Sequence, residues 1–274
     1  MRTMAGPSSK ANLGGMMMAM SRLRFIRPGI FVIVIVACAF GGYGFRPLHG
    51  QTNDDVVVAE SLAAMLRAGR TVISLHQTEI NDPNVGDKGF TGAKVLAEAV
   101  QGYKKSTGVD PSSIDPSTRH GRLLRAQMDS IVEVVDANQA TINKKGLGFK
   151  AFIPATFGRL VNEAFSRRAG SDAEVKVTAP SALVRNLKAR ADAWEQKVIT
   201  EKFMLPTWPK GKDFSEITAS KGRKAFRMAV PEYYAASCLS CHGGPKGEID
   251  VTGYPKEGGG EGDLGGVISI SLYR

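Results

Sequence analysis

The chain has 274 residues, 43% of them apolar and 23% charged, and a formal charge of +10 that sits mostly at its front. The first 38 residues carry five basic groups and no acid, which leaves 31 basic against 26 acidic residues in the remainder, so the charge gives no ground for a nucleic-acid partner. One of the three cysteines lies in this leading segment and the other two share one short motif, which excludes a structural disulfide framework.

Arg22, Arg24 and Arg27 flank the apolar run Ile30 to Ala37, and small residues follow, which is the pattern of a secretory signal peptide. The run falls short of the roughly 20 apolar residues that a spanning helix needs, and Gly41, Gly42 and Gly44 soon interrupt it. Methionines crowd the region upstream, and a start as late as Met20 would leave a compact signal. Ile35-Val36-Ala37-Cys38 resembles a bacterial lipobox, which would place an acyl anchor on Cys38; Ala37-Cys38-Ala39 reads equally as a plain cleavage site. The expected organisation is a signal over 1–38, a polar linker over 39–53 and a folded part over 54–274, helical over 54–170 and sheet-bearing over 171–274.

The spacing of apolar residues predicts a long helix from Asp54 to Ile80, with Asn53 or Asp54 as its cap and Asn81-Asp82-Pro83 as its stop. Further helices are expected over Gly92–Lys104, Arg119–Ile142 and Pro154–Arg168, the last with its proline in the first turn. Ser74 to Asn81 is similar to Asp136 to Asn143. The stripe Leu62, Leu66, Ile73, Ile80 repeats as Leu124, Met128, Val135, Ile142, which implies two helices of one design.

After Arg168 the period changes. Glu174–Thr178, Lys224–Val230 and Gly266–Leu272 read as strands. Helices followed by an antiparallel sheet imply an α+β fold.

Between the last two strands stands Cys238-Leu239-Ser240-Cys241-His242, followed by Gly243-Gly244-Pro245. Two cysteines three apart can each add across a haem vinyl group, and a histidine directly after the second can reach the iron, so C-x-x-C-H reads as attachment of haem c. A structural zinc ion would want four ligands, and there is no second Cys/His pair. A thioredoxin-like pair should open a helix after a strand, whereas this one runs into Gly-Gly-Pro. Covalent attachment takes place outside the cytoplasm, in agreement with the export signal. The expected location is periplasmic, or membrane-anchored facing the periplasm.

Arg185-Asn186, Trp194-Glu195, the Cys238 to Gly243 motif, Gly253-Tyr254-Pro255-Lys256-Glu257 and Gly262-Asp263-Leu264 follow the order seen in a bacterial family of single-haem c-type proteins. That family has a PAS-like fold and often forms the extracytoplasmic part of sensor kinases and chemoreceptors. The resemblance is clearest over 174–274. It implies a covalent haem held against a small antiparallel sheet and used for redox or ligand sensing. Leu187 and Ala191 depart from it, standing where the family tends to have prolines, and no kinase or signalling domain is expected after Arg274. The expected function is a redox or small-ligand sensor with an unidentified redox or signalling partner. An electron carrier and a haem enzyme such as a peroxidase are the alternatives.

Candidate haem contacts besides Cys238, Cys241 and His242 are Tyr254, Tyr233 and Tyr234, with Arg185 and Arg223 as partners for the propionates. Gly258-Gly259-Gly260-Glu261-Gly262 lacks the Lys-Ser/Thr of a phosphate loop and reads as a flexible segment beside the haem. No His, Met or Cys follows His242, so a sixth iron ligand would come from upstream. His76 is the first candidate, on the apolar stripe of the first helix, with Gly69 a turn or two earlier to admit a flat ring. The resembled family places a second ligand on this helix, in some members a cysteine. A core histidine without a metal role is the competing reading; Met128, Met204 and Met228 come after His76.

Overall fold

The computed structural model describes residues 49–274, so the signal-peptide and Cys38 readings, with the linker before His49, lie outside the described residues. Helix α1 (His49–Leu75) starts ahead of the expected Asn53/Asp54 cap. His76 interrupts the predicted long helix, with φ −93° and ψ 11°, and the four-residue helix α2 (Gln77–Ile80) follows. Then come α3 (Gly92–Thr107), α4 (Arg119–Ala137), α5 (Gln139–Ile142) and α6 (Pro154–Ala169). Thr91 and Thr118 cap α3 and α4 by accepting the Lys94 and Gly121 amides, and Pro154 stands where an amide has no partner to lose.

The similarity between the helices extends well past the segments that announce it. At a constant offset of 62 residues, α1–α2–α3 matches α4–α5–α6: His76 with Asn138, Gln77 with Gln139, Lys88 with Lys150, Phe90 with Phe152. Helices α3 and α6 each have 16 residues and end on a glycine of positive φ, Gly108 and Gly170. The two copies clasp each other reciprocally. Gln77 Nε2 donates to the Ile73 carbonyl of its own copy and to the Phe152 carbonyl of the other, and Gln139 Nε2 donates likewise to Val135 and Phe90. Asn81 Oδ1 accepts the Lys150 amide and Asn143 Oδ1 the Lys88 amide. Each buried loop carbonyl and amide is thus satisfied by the opposite copy, as backbone groups out of reach of water must be. Leu62, Leu66, Ile73, Ile131, Phe157 and Phe165 fill the core between the helices. The flat ring that approaches Gly69 is that of Phe157, 3.1 Å from where a Cβ would stand.

Four strands form an antiparallel sheet in the order β1-β4-β3-β2: β1 (Ala173–Thr178), β2 (Phe214–Ser220), β3 (Arg223–Tyr233) and β4 (Leu264–Tyr273). The α+β expectation holds, with the predicted strands as β1, β3 and β4. Strand β2 is an addition. It is an edge strand whose residues are exposed or half-buried apart from Ser220, so it lacks the apolar alternation that betrays a strand. Lys221 and Gly222, both at positive φ, close the β2–β3 hairpin in the manner of a type I′ turn. Phe226 and Met228 of β3 and Ile268, Ile270 and Leu272 of β4 face the helices. The opposite face carries Ala229 and Val267 under Val198, Ile199 and Phe203, residues of α7 (Ala193–Val198) and the π-helical turn that continues it. The chain between β3 and β4 holds the C-x-x-C-H motif.

Candidate functional site

Strand β3 ends in a bulge at Glu232/Tyr233, and the chain turns through a 3₁₀ segment (Ala236–Cys238) into the single helical turn α8 (Leu239–His242). Cys238 is the cap of that turn, so Cys238 and Cys241, three apart, fall on one side of it. Both thiols are free and half-exposed. Gly243 is required at the exit, since a Cβ there would stand 2.5 Å from the Leu239 carbonyl oxygen.

His242 is held by its Nδ1, 2.9 Å from Glu257 Oε2. Glu257 is in turn gripped by Arg185, whose Nε and Nη2 reach its two carboxylate oxygens at 2.8 and 3.0 Å. Burial pushes the Glu257 carboxyl upward, but the hydrogen bonds from Arg185 and His242 outweigh it and hold the group below the usual glutamate range. An ionised carboxylate only accepts, so Nδ1 carries the proton, and a neutral ring then has its lone pair on Nε2. Arg185 also donates to Asp250 Oδ2 at 2.5 Å, to the Thr252 hydroxyl at 3.3 Å and to the Cys241 carbonyl at 2.8 Å. Asp250 is buried and organises the 249–255 turn by accepting the Thr252 amide and hydroxyl; despite burial, these bonds and Arg185 keep it well below the usual aspartate range. Arg185 thereby ties the motif, Glu257 and the turn into one unit. Tyr254 lies beneath it, its ring 5.5 Å from the guanidinium carbon.

The glycine-rich segment is pinned. Gly258 and Gly259 donate their amides to the Gly243 and His242 carbonyls, and Gly262 to that of Tyr234. The Tyr234 ring stacks on that of His242, centroids 5.0 Å apart and planes 18° from parallel. A Cβ at Gly259 or Gly265 would enter this ring, at 2.7 and 2.3 Å. The absent side chains are therefore explained by close packing, where the sequence suggested a flexible loop. The Tyr234 hydroxyl is buried with no partner among the described residues, and burial pushes it up to about 12.

Other candidates lie elsewhere. Arg223 is at the opposite end of β3 from the motif, about 30 Å away at the rise of a strand, and stacks on Tyr273, so it cannot serve a group bound at the motif. Tyr233 accepts the Gly211 amide. Met228 is buried in the core, Met128 packs against it, and Met204 is exposed. His76 sits in a different cluster, with Nδ1 2.6 Å from Glu79 Oε2 and Nε2 2.8 Å from Glu98 Oε2. Only the imidazolium can donate to both, and it has no lone pair to offer a metal. An α1 side chain that comes close to the motif is Ser74, whose hydroxyl lies 3.3 Å from that of Ser237, the residue before Cys238. Its counterpart in the second copy, Asp136, accepts the Gly92 amide; Pro154, in the place of Gly92, offers no amide, and Ser74 is free to turn outward.

Glu257, Asp250 and Ser74 have no role assignable from sequence. Glu257 does stand within the Gly253 to Glu257 stretch that carries the resemblance, and that is the one signal that could have found it. Among the described residues no group of three or more His, Cys, Asp or Glu is arranged to hold a bare metal ion. Among the described residues the turn presents two free thiols on one side and an imidazole whose Nε2 has no partner, with the unpartnered, buried Tyr234 phenol beside them. This donor set fits a covalently attached haem.

Neither the curated proteins nor the solved structures contain a match to the chain. The Tll0287-like family profile matches residues 112–272, from just before α4 to the end of β4, and so takes in the whole sheet and the site. The chain belongs to the Tll0287-like family.

Proposed function

We propose that this is an exported, periplasmic mono-haem c-type protein acting as a redox or small-ligand sensor, its haem bonded to Cys238 and Cys241 and its iron to His242. The observation that carries the reading is the state of His242: a carboxylate fixes its Nδ1–H while Nε2 has no partner among the described residues, beside two free thiols one helical turn apart. Histidines that ligate a metal commonly donate their other ring N–H to a carboxylate or carbonyl in this way. Membership of a cytochrome c-like family supports the same reading. Bound there through Cys238, Cys241 and His242, the haem would supply a one-electron centre able to exchange electrons or to bind a small ligand. The antiparallel sheet, with the helical repeat on one face and the motif in the β3–β4 connection, supports a PAS-like sensor module that passes its state to a redox or signalling partner. Export rests on the sequence of residues 1–38, and a lipid anchor would require acylation of Cys38.

The half-exposure of Cys238, Cys241 and His242 favours a second reading, an electron carrier, because it would leave a haem edge near the surface. Spectra separate ligand sensing from redox sensing and electron transfer. A ferrous protein whose spectrum changes under carbon monoxide is a ligand sensor, and one that stays six-coordinate and unchanged is a redox sensor or carrier. Attachment is tested by extraction with acidified organic solvent. The native chain should retain its haem, and a Cys238→Ala, Cys241→Ala variant should release whatever it has bound. Equal release from both sinks the proposal.

A further inference from the structure

The contacts of His242 carry one step more, which rests on the haem reading above. Its ring is fixed on two sides, by Tyr234 against its face and by Glu257 on Nδ1, while its own carbonyl accepts the Gly259 amide at 2.8 Å. The acceptor on Nδ1 is a carboxylate, where a backbone carbonyl would have served to orient the ring. Glu257 is not free to swing away: Arg185 holds both of its oxygens, and Asp250 and the Cys241 carbonyl hold Arg185. The carboxylate, the guanidinium and the second carboxylate sum to one negative charge placed behind the imidazole. A hydrogen bond to an ionised acceptor is about twice as strong as one between neutral groups, and it draws the Nδ1 proton toward the acceptor. The ring gains imidazolate character, and its Nε2 becomes a stronger donor to whatever it ligates.

We infer that Glu257 is a positioning and tuning residue that increases electron donation from His242 and so biases an iron ligated there toward its oxidised state. A more basic ligand stabilises the higher charge of ferric iron more than that of ferrous iron, so the effect lowers the reduction potential. Arg185 sets its size by sharing the charge of Glu257, and keeps the carboxylate in line with Nδ1.

The test is a redox titration of the holoprotein at pH 7, followed in the visible haem bands. Glu257→Gln keeps the shape and an accepting oxygen but removes the charge. At fixed ambient potential its ferrous-to-ferric ratio should rise at least tenfold, about 59 mV for a one-electron couple. Glu257→Asp keeps the charge but draws it back by one methylene, and its potential should fall between the other two. If the amide variant does not fold, the aspartate variant carries the test alone, with a potential above that of the native protein as the expected result. A native potential in Glu257→Gln, with haem still covalent and His242 still bound to iron, overturns the inference. So does an aspartate variant whose potential equals the native value or exceeds that of the amide variant. A native chain purified without covalent haem would defeat the haem reading itself and this inference with it, and is recognised by the absence of haem bands before any titration.

Discussion

A methyl group at Gly265 would stand 2.3 Å from the Tyr234 ring, so Gly265→Ala must push that ring off His242 or move β4. Overpacking of this kind costs about 1–3 kcal/mol. Urea unfolding should show that loss, whereas Gly148→Ala, where nothing lies within 4 Å of an added Cβ, should stay within about 0.5 kcal/mol of native. At His76 the relevant quantity is charge. Burial opposes the proton there, but Glu98 and Glu79 override it and raise the imidazole above its ordinary 6.5. A raised folded value gives stability that is fully present below 6.5 and is lost as the pH climbs through the folded value. Unfolding free energy should therefore decline from near pH 6.5 upward. In His76→Asn, which installs the residue found at the matching position of the second copy, that decline should be absent; an identical pH profile in both proteins would remove the ionic role. The Cys238 to His242 motif stood out because three residues at fixed spacing define it. Glu257 did not, because a single acid has no spacing and its partner Arg185 lies 72 residues away.

At the level of elements, helix periodicity located every long helix but not the break at His76. The break leaves the apolar stripe intact: Ile73 and Ile80 on either side of it are both fully buried. Short similar stretches hinted at two helices of one design. The structure extends them to a repeat that includes loops, and the repeat makes its own prediction where the copies differ. Gly89 and Ala151 occupy matching places, with φ of 58° and 57°. A left-handed conformation suits glycine and strains alanine by about 1–2 kcal/mol, partly offset by the greater freedom of glycine in the unfolded chain. Ala151→Gly should raise stability by up to about 1 kcal/mol and Gly89→Ala should lower it by a similar amount, read as opposite shifts of the urea midpoint. Shifts of the same sign would mean that the two loops are not equivalent in solution.

Across the whole molecule, the α+β class and the place of the motif between two strands followed from the order of periodicities along the chain. How the site is put together did not. Arg185, Tyr234, Cys238 to His242, and the segment from Asp250 to Gly265 meet only because the sheet brings them there, and local pattern carries no information about such pairings. The same holds for the clasp between the helical copies, and its reciprocity has a consequence for how the chain can be divided. Neither copy satisfies its own loop, since the Phe90 carbonyl and Lys88 amide are met by Gln139 and Asn143, and the Phe152 carbonyl and Lys150 amide by Gln77 and Asn81. A polypeptide cut in the α3–α4 connection, within 112–118, should yield two fragments that are poorly ordered apart and recover native helicity when mixed in equal amounts, as circular dichroism would record.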